Sequence, residues 1–70
     1  MNHTTRILGI APGLRFTGWG VVESEGSRLR FVAAGTVKSD AKADLATRLT
    51  QLHDGLQTVL RDQSPDAAAV

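Results

Sequence analysis

Residues 6–23 read RILGIAPGLRFTGWGVVE, and this stretch decides the fold. Arg6 to Ala11 is short and almost wholly apolar, which suits a central strand buried on both faces. Alternation puts Leu8 and Ile10 on one face and Ile7, Gly9 and Ala11 on the other. Pro12-Gly13 stops the strand: proline presets the second position of a type II turn, and glycine accepts the positive φ required at the third. Phe16 to Glu23 follows as a second strand. Gly18 and Gly20 share one of its faces and leave that side open to close approach by another backbone.

Working outward, Glu25-Gly26 predicts a hairpin turn. Leu29 to Val37 then predicts a third strand with Leu29, Phe31, Ala33, Gly35 and Val37 on one face. Arg30, Val32, Ala34 and Thr36 take the other. From Leu45 the period changes, and Leu45, Leu49, Leu52, Leu56, Val59 and Leu60 mark one helical stripe. Asp44 is the expected N-cap, with Ser39 or Asp40 serving an earlier start. Ser64-Pro65 ends the helix, because Pro65 disfavours helical backbone at the residue before it. Asp66 to Val70 (DAAAV) reads as the opening of another buried strand.

This order predicts an α/β fold. Three strands form an antiparallel meander, a helix returns over one face, and the fourth strand lies parallel beside the first in a mixed sheet. The sequence stops inside that strand, so it reads as a chain truncated there, residues 1–70 being the N-terminal part of a single domain. No repeat or linker interrupts it.

Bulk properties bound the function without naming it. Seventy residues struggle to bury a self-sufficient core. With no cysteine there is neither a disulfide framework nor a thiolate metal site. The start, Met1-Asn2-His3-Thr4-Thr5-Arg6, is polar and does not resemble a signal peptide, and the apolar run after it is far too short to span a membrane. These features predict a soluble, cytoplasmic protein. Eight Lys plus Arg balance seven Asp plus Glu, so no strong global attraction for nucleic acid exists.

The chemistry concentrates at the end of the first strand. A buried strand ending at a Pro-Gly turn puts residue 11 at the sheet rim, facing a cleft. Two-metal nucleases place a carboxylate at such a position, because magnesium wants hard oxygen ligands held rigidly. Alanine has no donor or acceptor and cannot bind a metal. Arg15 and Thr17, just past the turn, are the candidates for holding a nucleic-acid strand there. Trp19 reads as core, and His53 as a solvated residue with no second ligand at metal-binding spacing. Gly13 to Gly18 has the glycine spacing of a phosphate loop, but it lacks the following Lys-Ser/Thr and lies in a hairpin.

The run RILGIAPGLRFTGWGVVE closely resembles the start of RuvC-type Holliday-junction resolvases, which read ILGIDPG before a glycine-containing second strand. LATRLTQLHDGLQTVLRDQSPDAAAV also resembles that family's first helix and fourth strand. The resemblance implies a ribonuclease H-like fold in which position 11, here Ala11, carries a catalytic, metal-binding aspartate. It further implies a glutamate just after Val70 and two acidic residues on a later helix, and Asp62 and Asp66 do not replace them. The activity it implies is Mg²⁺-dependent cleavage of four-way DNA junctions in recombination and repair. Two ions serve each site, in a homodimer that works beside a branch-migration motor. Ala11 is then either an engineered inactivating substitution or the mark of a naturally inactive relative, and the intact surroundings favour a single deliberate change.

Two other classes compete. Actin-like and sugar-kinase ATPases share the fold core and also open with a strand, an acidic residue, a glycine turn and a hairpin. The proline after residue 11 and the match of the next ten residues favour the resolvase. A non-enzymatic DNA-binding scaffold would carry Ala11 as its natural state.

Overall fold

The computed structural model describes residues 3–70, so Met1 and Asn2 of the expected polar start lie outside the described residues. The elements are β1 (Thr5–Ala11), β2 (Phe16–Glu25), β3 (Arg28–Lys38), α1 (Leu45–Gln63) and β4 (Ala67–Ala69). They form one sheet in the order β3-β2-β1-β4, with β1 antiparallel to β2 and parallel to β4. The expected mixed α/β sheet of ribonuclease H type is present. No helix among the described residues is long and apolar enough to cross a membrane.

The core lies between the sheet and α1. Leu8 and Val21, cross-strand partners, are fully buried, and Val37 and Val59 join them. Each such side chain contributes about 1.5–3 kcal/mol by leaving water. Around them pack Ile10, Trp19, Val32, Leu52 and Leu56. Trp19 is therefore core, as expected: its indole lies against Gly35, where an added Cβ would come within 2.8 Å of the ring.

Asp44 caps α1 through its carboxylate, which accepts from the Thr47 N–H at 2.7 Å. That bond holds the Asp44 carboxyl below its ordinary pKa. Ser64 closes the helix in the left-handed region (φ 47°), its N–H still donating to the Leu60 carbonyl, and Pro65 prevents continuation.

Four expectations need correction. First, β1 is buried on one face only: Leu8 is inaccessible, whereas Gly9 and Ala11 are exposed on the face opposite α1. Second, Gly13 does not adopt the positive φ of a type II turn. Glycine is needed there for space, since a Cβ would meet the Phe16 carbonyl oxygen at 2.4 Å. The left-handed glycine is Gly26 (φ 59°), in the two-residue loop between Glu25 and Arg28.

Third, β3 does not alternate throughout. Val21 pairs with Ala33 but Val22 pairs with Phe31, so Val32 is the extra residue of a bulge. Leu29 and Phe31 therefore leave the face of Val37 for the open face, and Arg30 moves to the helix side. Fourth, the helical stripe is only half used. Leu52, Leu56 and Val59 pack inward, while Leu45, Leu49 and Leu60 remain exposed.

Candidate functional site

β1 carries Ala11 to the rim, where it pairs with Gly18, and Gly18 pairs in turn with Thr36. Side chains opposite one another share a face, so Gly9, Ala11, Gly18, Gly20 and Ala69 all belong to the open face. With little above the backbone, they floor a shallow trough of about 590 Å³ that Val70 also borders. Ala11 is exposed at its edge.

The chain leaving Ala11 is braced. The Arg48 guanidinium, in the first turn of α1, donates to the Leu14 carbonyl at 2.9 Å. The Ser39 N–H donates to the Arg15 carbonyl at 2.9 Å. Helix and third strand together thus hold residues 12–15 against the sheet end. Arg48 was not legible as a brace in the sequence, because its partner is a backbone oxygen 34 residues away.

Of the residues singled out for a DNA strand, Arg15 lies at this rim, on the border of an open cleft that Phe16, Lys38 and Lys42 also line. Thr17 does not suit direct contact. It pairs with Val37 on the helix-covered face, is only 2% exposed, and its hydroxyl has no hydrogen-bond partner among the described residues. Alternation sends residues 16 and 17 to opposite faces, and it is Phe16, 53% exposed, that shares the face of Ala11.

The acidic residues near β4 lie at the opposite end of the sheet, as expected. Asp66 exchanges hydrogen bonds with the Arg6 backbone, its N–H donating to the Arg6 carbonyl and its carboxylate accepting from the Arg6 N–H, each at 2.7 Å. Asp62 sits in the last turn of α1, next to Gln63, whose carbonyl accepts from the Arg6 guanidinium at 2.8 Å. On the helix side, Arg30 and Arg6 both close on Glu23, and those bonds, Arg30 foremost, hold the Glu23 carboxyl below its ordinary range.

No group of three or more His, Cys, Asp or Glu side chains converges among the described residues. His53 is exposed, with only the Asp54 carboxylate beside it at 3.3 Å. The trough around Ala11 is lined by no ionisable side chain. The donor set present does not fit a magnesium ion.

Comparison with known proteins gives a consistent answer. The family profile described as "Crossover junction endodeoxyribonuclease RuvC" matches residues 7–70. Curated relatives bearing that name include proteins of Mesorhizobium japonicum, 64% identical, and Rhizobium meliloti, 61% identical, each over the whole of this chain. A third, from Agrobacterium fabrum, is 60% identical over the same span. The chain covers 41% of the length of each of these relatives.

Proposed function

Because the chain belongs to the RuvC family of crossover junction endodeoxyribonucleases, we propose that it forms part of a resolvase disabled at position 11. The complete protein hydrolyses phosphodiester bonds in four-way DNA junctions, in recombination and repair. It acts as a homodimer whose two sites meet two strands of a two-fold substrate. Magnesium dependence and cooperation with a branch-migration motor belong to this reading by family resemblance, as does a cytoplasmic location.

The observation that carries the reading is the family match across residues 7–70, with Ala11 exposed at the end of β1, the position to which the resemblance of RILGIAPG assigns an aspartate. A strand end held by its ladder to β2 is a rigid mount for a ligand. A methyl group there offers no oxygen, so this form binds DNA without cutting it at a useful rate. Loss of one such ligand forfeits several kcal/mol of transition-state stabilisation, roughly a 100- to 1000-fold loss of rate. Arg15, on the braced loop beside position 11, supplies positive charge to the phosphate backbone. Thr17 acts through packing beneath that loop.

The test uses the complete protein in its Ala11 and Ala11→Asp forms with a labelled four-way junction, with and without Mg²⁺. Both forms are expected to bind, and only the aspartate form to cut, and only with Mg²⁺. Equal cutting by the Ala11 form removes position 11 from the chemistry. Failure of both to bind the junction removes the resolvase reading.

A further inference from the structure

At the end of the sheet away from Ala11, Arg6 and Arg30 share the single Glu23 carboxylate, while the side chains of Arg28 and Arg61 make no hydrogen bond or ion pair with a described residue. Arg48 is engaged by the Leu14 carbonyl. At the rim near Ala11, the side chains of Arg15, Lys38 and Lys42 make no hydrogen bond or ion pair with a described residue. Two carboxylates line the same cleft. That of Asp40 accepts from the Lys42 backbone N–H at 2.9 Å, and that of Asp54 lies beside His53. Neither forms an ion pair with an ammonium or guanidinium group of a described residue.

Register places one of these cations with care. Phe16 pairs with Lys38, two residues beyond the Gly18–Thr36 pair that leads to Ala11. Alternation therefore gives Phe16 and Lys38 the same strand-face parity as Ala11. The cleft they line at that sheet end also reaches Gln51 and Asp54 of α1, and neither Phe16 nor Lys38 lines the trough at Ala11 itself. At about 3.3 Å per residue and about 4.8 Å between strands, Phe16 lies roughly 8 Å and Lys38 roughly 12 Å from Ala11 across the sheet, about two to three nucleotide rises. An exposed aromatic ring cross-strand from a lysine fits a nucleotide strand, whose phosphates need positive charge and whose bases need a flat apolar partner.

We propose that Lys38 and Phe16 form a strand-holding pair beside position 11. The Lys38 ammonium contacts a backbone phosphate flanking the one to be cleaved, and the Phe16 ring packs on the adjoining nucleotide. Arg15 extends the positive track across the end of the sheet. This inference rests on the junction-endonuclease reading and assigns the residues that position its DNA.

The test uses the complete Ala11 protein, fluorescence anisotropy with a labelled four-way junction, and a series of salt concentrations. Lys38→Gln is expected to weaken binding about 3- to 10-fold near 0.1 M salt and to lower the slope of log K against log salt by about one. Phe16→Leu, which keeps apolar bulk but removes the ring, is expected to weaken binding about 5- to 10-fold with the slope unchanged. Lys38→Arg should restore the parental slope, and Arg28→Gln, at the far end of the sheet, should match the parent. Parental affinity and slope in both Lys38→Gln and Phe16→Leu would overturn the proposal while leaving the resolvase reading standing. Absence of junction binding by the unsubstituted protein would overturn both.

Discussion

Gly55 of α1 lies directly over Val37 of β3, so closely that a Cβ at position 55 would meet Val37 Cγ1 at 2.4 Å. The helix rests on the sheet through this contact, and the Thr17–Val37 pair beneath it ties the same point to the strand that follows the position-11 loop.

Gly55→Ala should therefore destabilise the protein, although alanine normally favours a helix interior by about 1 kcal/mol. Overpacking against Val37 outweighs that gain, and a net loss of about 1–2 kcal/mol is expected in urea unfolding. Adding Val37→Ala should recover part of the loss, making the double variant more stable than the sum of the single changes predicts. Strict additivity would show that the two side chains do not meet.

Arg48→Ala removes the donor to the Leu14 carbonyl. A loss of about 1 kcal/mol is expected, with faster amide exchange confined to residues 13–16. In an Ala11→Asp background the same change should lower junction cleavage more than junction binding, since the loop braces position 11. Unchanged exchange over that loop would show the bond to be dispensable.

Acid should weaken the protein partly through Glu23. Its folded carboxyl lies below the ordinary value of 4.5, so its contribution is present above that pH and is lost as pH falls through the folded value. Glu23→Gln should flatten this part of the stability profile in thermal unfolding at successive pH values. A residual acid dependence should remain from Asp44, which is shifted in the same direction by its bond to the Thr47 N–H.

Ala11→Asp should leave folding stability within about 0.5 kcal/mol of the parent in the absence of metal, because position 11 is exposed and no acidic side chain lines its trough. Millimolar Mg²⁺ should raise the melting temperature of the complete aspartate form more than that of the alanine form. Equal effects on the two would show that position 11 does not face the ion.

Much of the architecture was readable from one dimension. The apolar run at residues 6–11, the Glu25-Gly26 turn, the Asp44 cap and the Ser64-Pro65 stop are local signals, and the elements begin and end within a residue or two of them. The family match likewise rests on contiguous residues. Thr17 and Phe16 show where this ends. Neighbours in sequence, one is sealed under α1 and the other stands beside position 11, and nothing in their identities distinguishes them.

Local signals sufficed for the elements, their order and the family, because capping, turn formation and motif matching act over a few adjacent residues. Tertiary structure alone decided which side chains share a face and which charges are free. Side chains alternate with period two, so the single bulge at Val32 sends Arg30 to the helix side and Phe31 to the open one. That shift lets Arg30 join Arg6 on Glu23, while Lys38, beyond the bulge on β3 and opposite Phe16, makes no ion pair with a described residue. Such pairings depend on cross-strand register, and register is set by partners distant in the chain.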